Sequence, residues 1–341
     1  MVNVSKAMIM AAGVGSRLDP LTREIPKPLV PIANKPVMDI LFEKLCALGI
    51  KDVICNTYYQ SNKIIERYTN NNLGINFNYI KENELSGTAG GVKKCQYFFN
   101  EGETFVVLSA DGLSNADIQK GIQTHIVSGA IATIGIKQIN KEEVPHFGVV
   151  VTDDKGFITE FQEKPSIQEA KSNFINTGIY IFNYKIFDYI PENTFYDFAK
   201  NVFPKLLSEH AINTFEIDEY WSDIGTLEQY KQSTQDVFEQ KCTFEHASIT
   251  STEEGSYIAD STCKIFSNVK FIGNSTIGSG TSIGENTIIE NSIIWDNVKI
   301  GANLHISDSI VTSGCDIRSD INTLITEPNK IIENVKTLDF L

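Results

Sequence analysis

Ten apolar residues toward the C-terminus keep a spacing that few folds can use. Ile265, Phe271, Ile277, Ile283 and Ile289 lie six apart. A five-residue step leads to Ile294, Ile300 and Ile306, and another to Val311 and Ile317. Gly273, Gly278, Gly284 and Gly301 follow apolar positions, and Ser, Thr and Asn fill the gaps. An α-helix repeats every 3.6 residues and a strand every two, so neither sustains a period of six. A parallel β-helix does. Each hexapeptide forms one face of a coil, and its apolar residue points inward. If three repeats make a turn, the region holds about three coils.

The chain before residue 240 reads differently. Apolar strand-like runs at Lys6–Ala12, Asp52–Asn56, Gly74–Ile80 and Thr104–Ser109 alternate with helical patterns. The helical patterns are a stripe of Val37, Leu41, Leu45 and Leu48 opened by Pro36, then Ser61–Asn71 and Thr88–Phe98. Such alternation predicts a parallel sheet covered on both faces. Ligands in such sheets sit at the carboxyl ends of strands. Three loops leave those ends: Gly13–Arg17, the turn near Asn56, and Ala110–Gly112. Further on the texture is mixed. Phe147–Thr152 and Phe157–Gln162 flank Asp153-Asp154-Lys155-Gly156, a hairpin signal. Asn176–Asn183 reads as a strand, and Tyr196–Glu209 and Thr226–Gln240 as helices, the last capped by Thr226. Two domains are therefore expected, 1–240 and 250–341, in keeping with a length of 341 residues.

Composition narrows the partners. Acidic residues outnumber basic ones 43 to 29, a net charge of −14. That argues against a nucleic-acid binder, whose surface must neutralise phosphates. It leaves room for a phosphate-bearing small substrate met by a few local cations and a metal. No run approaches the ~18 apolar residues of a membrane span, and Met1–Gly13 has no signal-peptide pattern. Cys46, Cys55, Cys95, Cys242, Cys263 and Cys315 form no CxxC pair. They read as reduced thiols of a cytoplasmic protein.

The chemistry-bearing residues begin with Ala11-Ala12-Gly13-Val14-Gly15-Ser16-Arg17-Leu18, followed by Pro26-Lys27-Pro28. Glycines after a strand let backbone N–H groups approach a phosphate, and two cations follow. Leu18 stands where a dinucleotide loop needs its third glycine, and no Walker run is present. With Pro20-Leu21-Thr22 and Pro26–Ile32, the segment resembles the signature of sugar-phosphate nucleotidyltransferases. The resemblance continues in order through Gly87-Thr88-Ala89-Gly90, Ser109-Ala110-Asp111-Gly112, Phe147-Gly148-Val149 and Glu163-Lys164-Pro165. It ends with Asn176-Thr177-Gly178, Trp221-Ser222-Asp223-Ile224-Gly225 and the hexapeptide tail. There are departures: Ala110 replaces a usual glycine, Ser16 a usual threonine, and Leu85-Ser86 precede Gly87.

The resemblance implies a Rossmann-like, GT-A-like mixed α/β sheet followed by a left-handed parallel β-helix. It also implies a reaction: a sugar 1-phosphate attacks the α-phosphorus of a nucleoside triphosphate, releasing pyrophosphate. Positioning and electrostatics carry most of such a step. Ala11, Ala12, Gly13, Gly15, Arg17, Lys27, Gly87 and Thr88 are then expected to bind the nucleotide. Arg17 would sit on the β and γ phosphates and Lys27 on the α-phosphate. Gly148, Glu163, Lys164, Asn176 and Thr177 would hold the sugar phosphate. Asp111 and Asp223 would hold Mg²⁺, and Arg17, Lys27, Asp111 and Lys164 are the expected catalytic set. The branch most resembled is mannose-1-phosphate guanylyltransferase, making GDP-mannose from GTP. Glucose-1-phosphate members using UTP, dTTP or ATP remain open, as does a non-catalytic regulatory paralogue. An acyltransferase tail is disfavoured, since His305 is the only histidine of the coil. A homo-oligomer is expected from the coil's apolar ends.

Overall fold

The computed structural model describes residues 4–244 and 247–333. The end of the expected tail, 334–341, lies outside the described residues. The chain divides into two compact units that are not consecutive segments. One takes residues 1–14, 26–28 and 37–224; the other takes 15–25, 29–36 and 225–341.

The first unit is built on a nine-stranded sheet. Lys6–Ala11 lies between Asp52–Thr57 and Thr104–Ser109, parallel to both, and Asn76–Lys81 extends the parallel part. Phe174–Asn183 then runs antiparallel to Thr104–Ser109 and begins a mixed half. That half holds Ala132–Gln138, the hairpin Gly148–Thr152 with Ile158–Glu163, and Ile212–Glu216. The central strands read Val, Ile and Leu on both faces because helices cover both. Phe105 stacks on Phe99 (3.9 Å) and on Phe187 (5.5 Å), and those two rings lie 6.1 Å apart.

Phe174–Asn183 changes neighbours along its length, with a register shift between Asn176 and Tyr180. Gly178 makes the bulge possible. Its φ is +74°, and a Cβ there would stand 3.0 Å from the Ser109 Cβ. Asn176 Oδ1 accepts the Gly178 N–H at 3.1 Å and closes the turn. The helix expected from Tyr196 starts instead as a π-turn at Phe198–Val202 and becomes α only at Phe203–Ser208. The Asp197 carboxylate caps it through the Ala199 and Lys200 N–H groups.

The second unit is a three-faced parallel coil. Ile277 pairs with Ile294 and Ile294 with Val311; Ile283 pairs with Ile300 and Ile300 with Ile317; Ile289 pairs with Ile306. Phe271, Ile277, Ile283, Ile289, Ile294, Ile300, Ile306, Val311 and Ile317 form its core. Ile265, in the first coil, stays exposed. The corners explain the Asn and Gly residues between them. Asn268, Asn286 and Asn303 all have φ near +60°, a conformation Asn tolerates better than bulkier residues. Their side chains stack as a hydrogen-bonded ladder, Asn268 to Asn286 at 3.0 Å and Asn286 to Asn303 at 3.2 Å. The helix Leu227–Phe238 is capped by Thr226, whose hydroxyl accepts the Gln229 N–H.

Residues 15–36 outside the Pro26–Pro28 stretch belong to this second unit. Asn34, at φ +68°, donates to the Ile258 and Ile277 carbonyls at 3.2 and 2.8 Å. Tyr230 donates to the Pro31 carbonyl and accepts from Trp295 Nε1, each at 2.9 Å. Arg23 pairs with Asp19 and with Glu327.

Candidate active site

The three loops singled out at strand ends converge. Gly13, Asn56, Ala110 and Asp111 line one cavity of about 320 Å³ in the first unit, with Ala11, Ala12, Lys27, Gly87 and Thr88. Seven expected site residues therefore share a wall. The Ala110 backbone lies outside the left-handed region, so its methyl group is accommodated.

Asp111 follows the apolar strand Thr104–Ser109 and accepts the Ser109 hydroxyl at 2.5 Å. Lys27 pairs with its other oxygen. Burial pushes the Asp111 carboxyl up. The Lys27 charge and the hydrogen bonds from Lys27 and Ser109 more than offset this and hold it below the usual carboxylate range. Asp223 sits on the neighbouring short strand, in register with Gly112, and the Ile224 N–H donates to the Asp111 carbonyl at 3.0 Å. Asp111, in the turn before Gly112, and Asp223, on the strand paired with Gly112–Ser114, are the hard-oxygen donors that would hold Mg²⁺, with substrate oxygens or water completing its shell. No group of three or more His, Cys, Asp or Glu able to hold a metal occurs among the described residues.

The expected sugar-phosphate residues lie outside the cavity lining. Glu163 pairs with Gly148 across the hairpin, and a Cβ on Gly148 would meet Phe161 at 2.6 Å. Lys164 is exposed at φ +49°, with its N–H donated to the Phe147 carbonyl. Asn176 donates to the Tyr180 hydroxyl at 3.0 Å. Thr177 is buried and donates its hydroxyl to the Gly135 carbonyl at 2.7 Å, while its own carbonyl accepts Trp221 Nε1. Gly15 (φ +72°) and the exposed Arg17 stand on the turn grouped with the coil.

The cavity also has residues that motif reading passed over. Glu82 is buried on its wall. It accepts Asn56 Nδ2 at 2.7 Å, Lys94 Nζ at 3.1 Å and the Ser86 hydroxyl. Asn56 is itself oriented by the Ala11 N–H, which it accepts at 3.2 Å. Gly91 permits this approach, since a Cβ would lie 2.5 Å from Asn56 Nδ2. Leu85, Phe195 and Asp197 complete the wall. In sequence, Glu82 and Glu84 look like solvated turn charges. The only available signal was Asn56, a lone polar residue closing an apolar strand.

The family model described as nucleotidyl transferase matches residues 6–240. The chain belongs to the nucleotidyl transferase family. A second model, GlmU-like C-terminal hexapeptide, matches residues 240–325. The coil is thus the left-handed β-helix of such tails. A UTP–glucose-1-phosphate uridylyltransferase of Synechocystis is 37% identical, over 83% of this chain and 76% of the relative. The mannose-1-phosphate guanylyltransferase catalytic subunit beta of Drosophila melanogaster is 34% identical over 65% of this chain, which spans 60% of that protein. The crystal structure of HddC from Yersinia pseudotuberculosis superposes with a TM-score of 0.59 at 26% identity, over 68% of this chain and 99% of that one. A UDP-glucose pyrophosphorylase complexed with UDP-glucose gives a TM-score of 0.61 at 21% identity, over 70% and 100%, and speaks for the fold alone. As a member of this family the chain is a sugar-1-phosphate nucleotidyltransferase. Among its described residues no helix is long and apolar enough to cross a membrane.

Proposed function

We propose that this nucleotidyltransferase transfers uridylyl from UTP to glucose 1-phosphate, giving UDP-glucose and pyrophosphate. The observation that carries the choice of base is Glu82. A carboxylate accepts hydrogen bonds only, so it favours a base edge that presents N–H. Uracil, thymine and guanine present a ring N–H there, whereas adenine N1 and cytosine N3 are acceptors and those bases can meet Glu82 only through an exocyclic amino group. Three protein donors already occupy Glu82, leaving about one of its roughly four lone-pair sites. One site suits the single N3–H of uracil. The similarity to the Synechocystis uridylyltransferase, which covers 83% of this chain, supports the same choice.

The chemistry needs two anions brought together. The backbone after Ala11 would cradle the phosphates, Lys27 would neutralise the α-phosphate, and Arg17 would hold the departing pyrophosphate by its guanidinium fork. Glu163 and Lys164, next to Gly148 at the hairpin end, would receive the sugar hydroxyls and its phosphate, with Asn176 beside them. Mg²⁺ held by Asp111 and Asp223 would supply charge neutralisation between the two phosphates. The exposed Ile265 and Phe266 of the first coil support a homo-oligomer, which light scattering would reveal as a mass above 38.0 kDa.

The second reading is GTP with mannose 1-phosphate, because guanine also presents N–H groups to Glu82 and the Drosophila relative carries that name. A matrix of UTP, dTTP, GTP and ATP against glucose and mannose 1-phosphates decides. UTP with glucose 1-phosphate should give the highest kcat/KM by at least about tenfold, or roughly 1.4 kcal/mol. GTP with mannose 1-phosphate in first place would move the assignment to the second reading. Inertness with every pair would leave a regulatory paralogue.

A further inference from the structure

Phe195 is 67% exposed and Leu85 is 42% exposed, yet both line the cavity that holds Glu82, Lys27 and Asp111. The two residues come from separate segments that are zipped together beside them. The Tyr196 N–H donates to the Ser86 carbonyl at 2.8 Å, and the Ala89 and Gly90 N–H groups both donate to the Tyr196 carbonyl at 3.0 Å. The Thr88 hydroxyl donates to Asp197 at 2.9 Å and accepts the Phe198 N–H at 3.0 Å. Glycine is required at this seam. A Cβ on Gly87, at φ +75°, would lie 2.4 Å from the Tyr196 carbonyl oxygen, and one on Gly90 would lie 2.9 Å from the Thr194 carbonyl oxygen. The backbone under Phe195 is thereby pinned to the cavity rim, while its ring keeps most of its surface in water.

A nucleobase has an edge that hydrogen-bonds and two apolar faces that stack. Glu82 supplies an acceptor for the edge, and nothing assigned so far covers the faces. We propose that Leu85 and Phe195 are the walls of an apolar slot that sandwiches the base, with Phe195 as its stacking ring. The slot contributes affinity without regard to base identity, and Glu82 contributes the discrimination. The inference rests on the nucleotidyltransferase reading of this cavity but not on uracil being the base. It also accounts for the exposed ring, which is left uncovered until a base fills the slot. Alanine substitution of such stacking rings weakens binding by about ten- to a hundredfold.

Nucleotide binding to the full-length chain, by equilibrium dialysis of labelled UTP and GTP with Mg²⁺, tests this independently of turnover. In Phe195→Ala both dissociation constants should rise at least about tenfold and by the same factor, and Phe195→Tyr should restore them. In steady state, the KM for the nucleotide should follow, with kcat and the KM for the sugar phosphate within about twofold of wild type. Glu82→Gln should instead change the ratio of the two nucleotides. If GTP proves the better substrate, the uridylyl assignment falls while the equal factor for Phe195→Ala still stands. Unchanged nucleotide binding in Phe195→Ala, a loss confined to one base, or an effect on the sugar phosphate alone would overturn the slot.

Discussion

The sheet and the coil hold their residues together in opposite ways. In the coil each strand pairs with the strand one turn later, as Ile277 with Ile294 and Ile294 with Val311. In the sheet Lys6–Ala11 pairs with Asp52–Thr57 and Thr104–Ser109, strands far along the chain. The cavity exists only because those distant pairings bring Gly13, Asn56 and Asp111 to one place. A repeat can lose one layer and keep its logic, since stability is approximately a sum of neighbouring terms. A site drawn from three loops has no such redundancy. Chemistry is therefore expected to fail through single residues of the sheet, and stability through single layers of the coil.

The largest expected departure is Asp111→Asn. It keeps the shape and removes the charge that Lys27 faces, so kcat should fall by about 10²–10³-fold in protein that is still folded at the assay temperature. Retained kcat would remove Asp111 from the metal pair. On the coil side, Ile294 is fully buried, and Ile294→Ala should cost about 3–4 kcal/mol in denaturant unfolding. Loss of kcat ahead of stability in that variant would break the contrast between the two regions.

A smaller effect separates them by pH. His125 is 3% exposed and accepts from or donates to the Thr133 hydroxyl at 2.9 Å. Burial lowers its pKa from 6.5 to about 4. Between those values the unfolded chain binds the proton and the folded one does not, so stability is full above 6.5 and declines as pH falls toward 4. The loss should reach about 2–3 kcal/mol, in the unit that carries the sheet. His125→Gln should flatten this part of the pH profile, and an unaltered profile would put the dependence elsewhere. Smallest is Thr226→Ala, which removes the cap of Leu227–Phe238 and should cost about 1 kcal/mol with kcat unchanged.

The same contrast decides what was legible in the sequence. The period of six placed nine of its ten apolar residues in the core of the coil. Ile265 stayed outside because the first coil has no layer before it to complete its surroundings. The strand-end rule found the three loops of the cavity without any long-range information. It could not find Glu82, whose role depends on Asn56, Ser86 and Lys94 arriving from a strand, a loop and a helix. Nor could it find the π-turn at Phe198–Val202. The residues before it are held by Ser86 and the first turn of the helix Gly87–Lys94, a tertiary constraint that outweighs local helical preference. Thr177, which its motif marks for substrate, donates its hydroxyl to the Gly135 carbonyl, a contact that only the folded sheet reveals.

Asn34 and Arg23 lie early in the chain, yet their partners Ile258, Ile277 and Glu327 lie in the coil. For protein engineering this means that the tail cannot be exchanged at residue 240 as if it were a cassette. A chimera that grafts a relative's coil onto this chain would have to carry the matching 15–36 segment with it, because recombination at a sequence boundary would cut through a structural one.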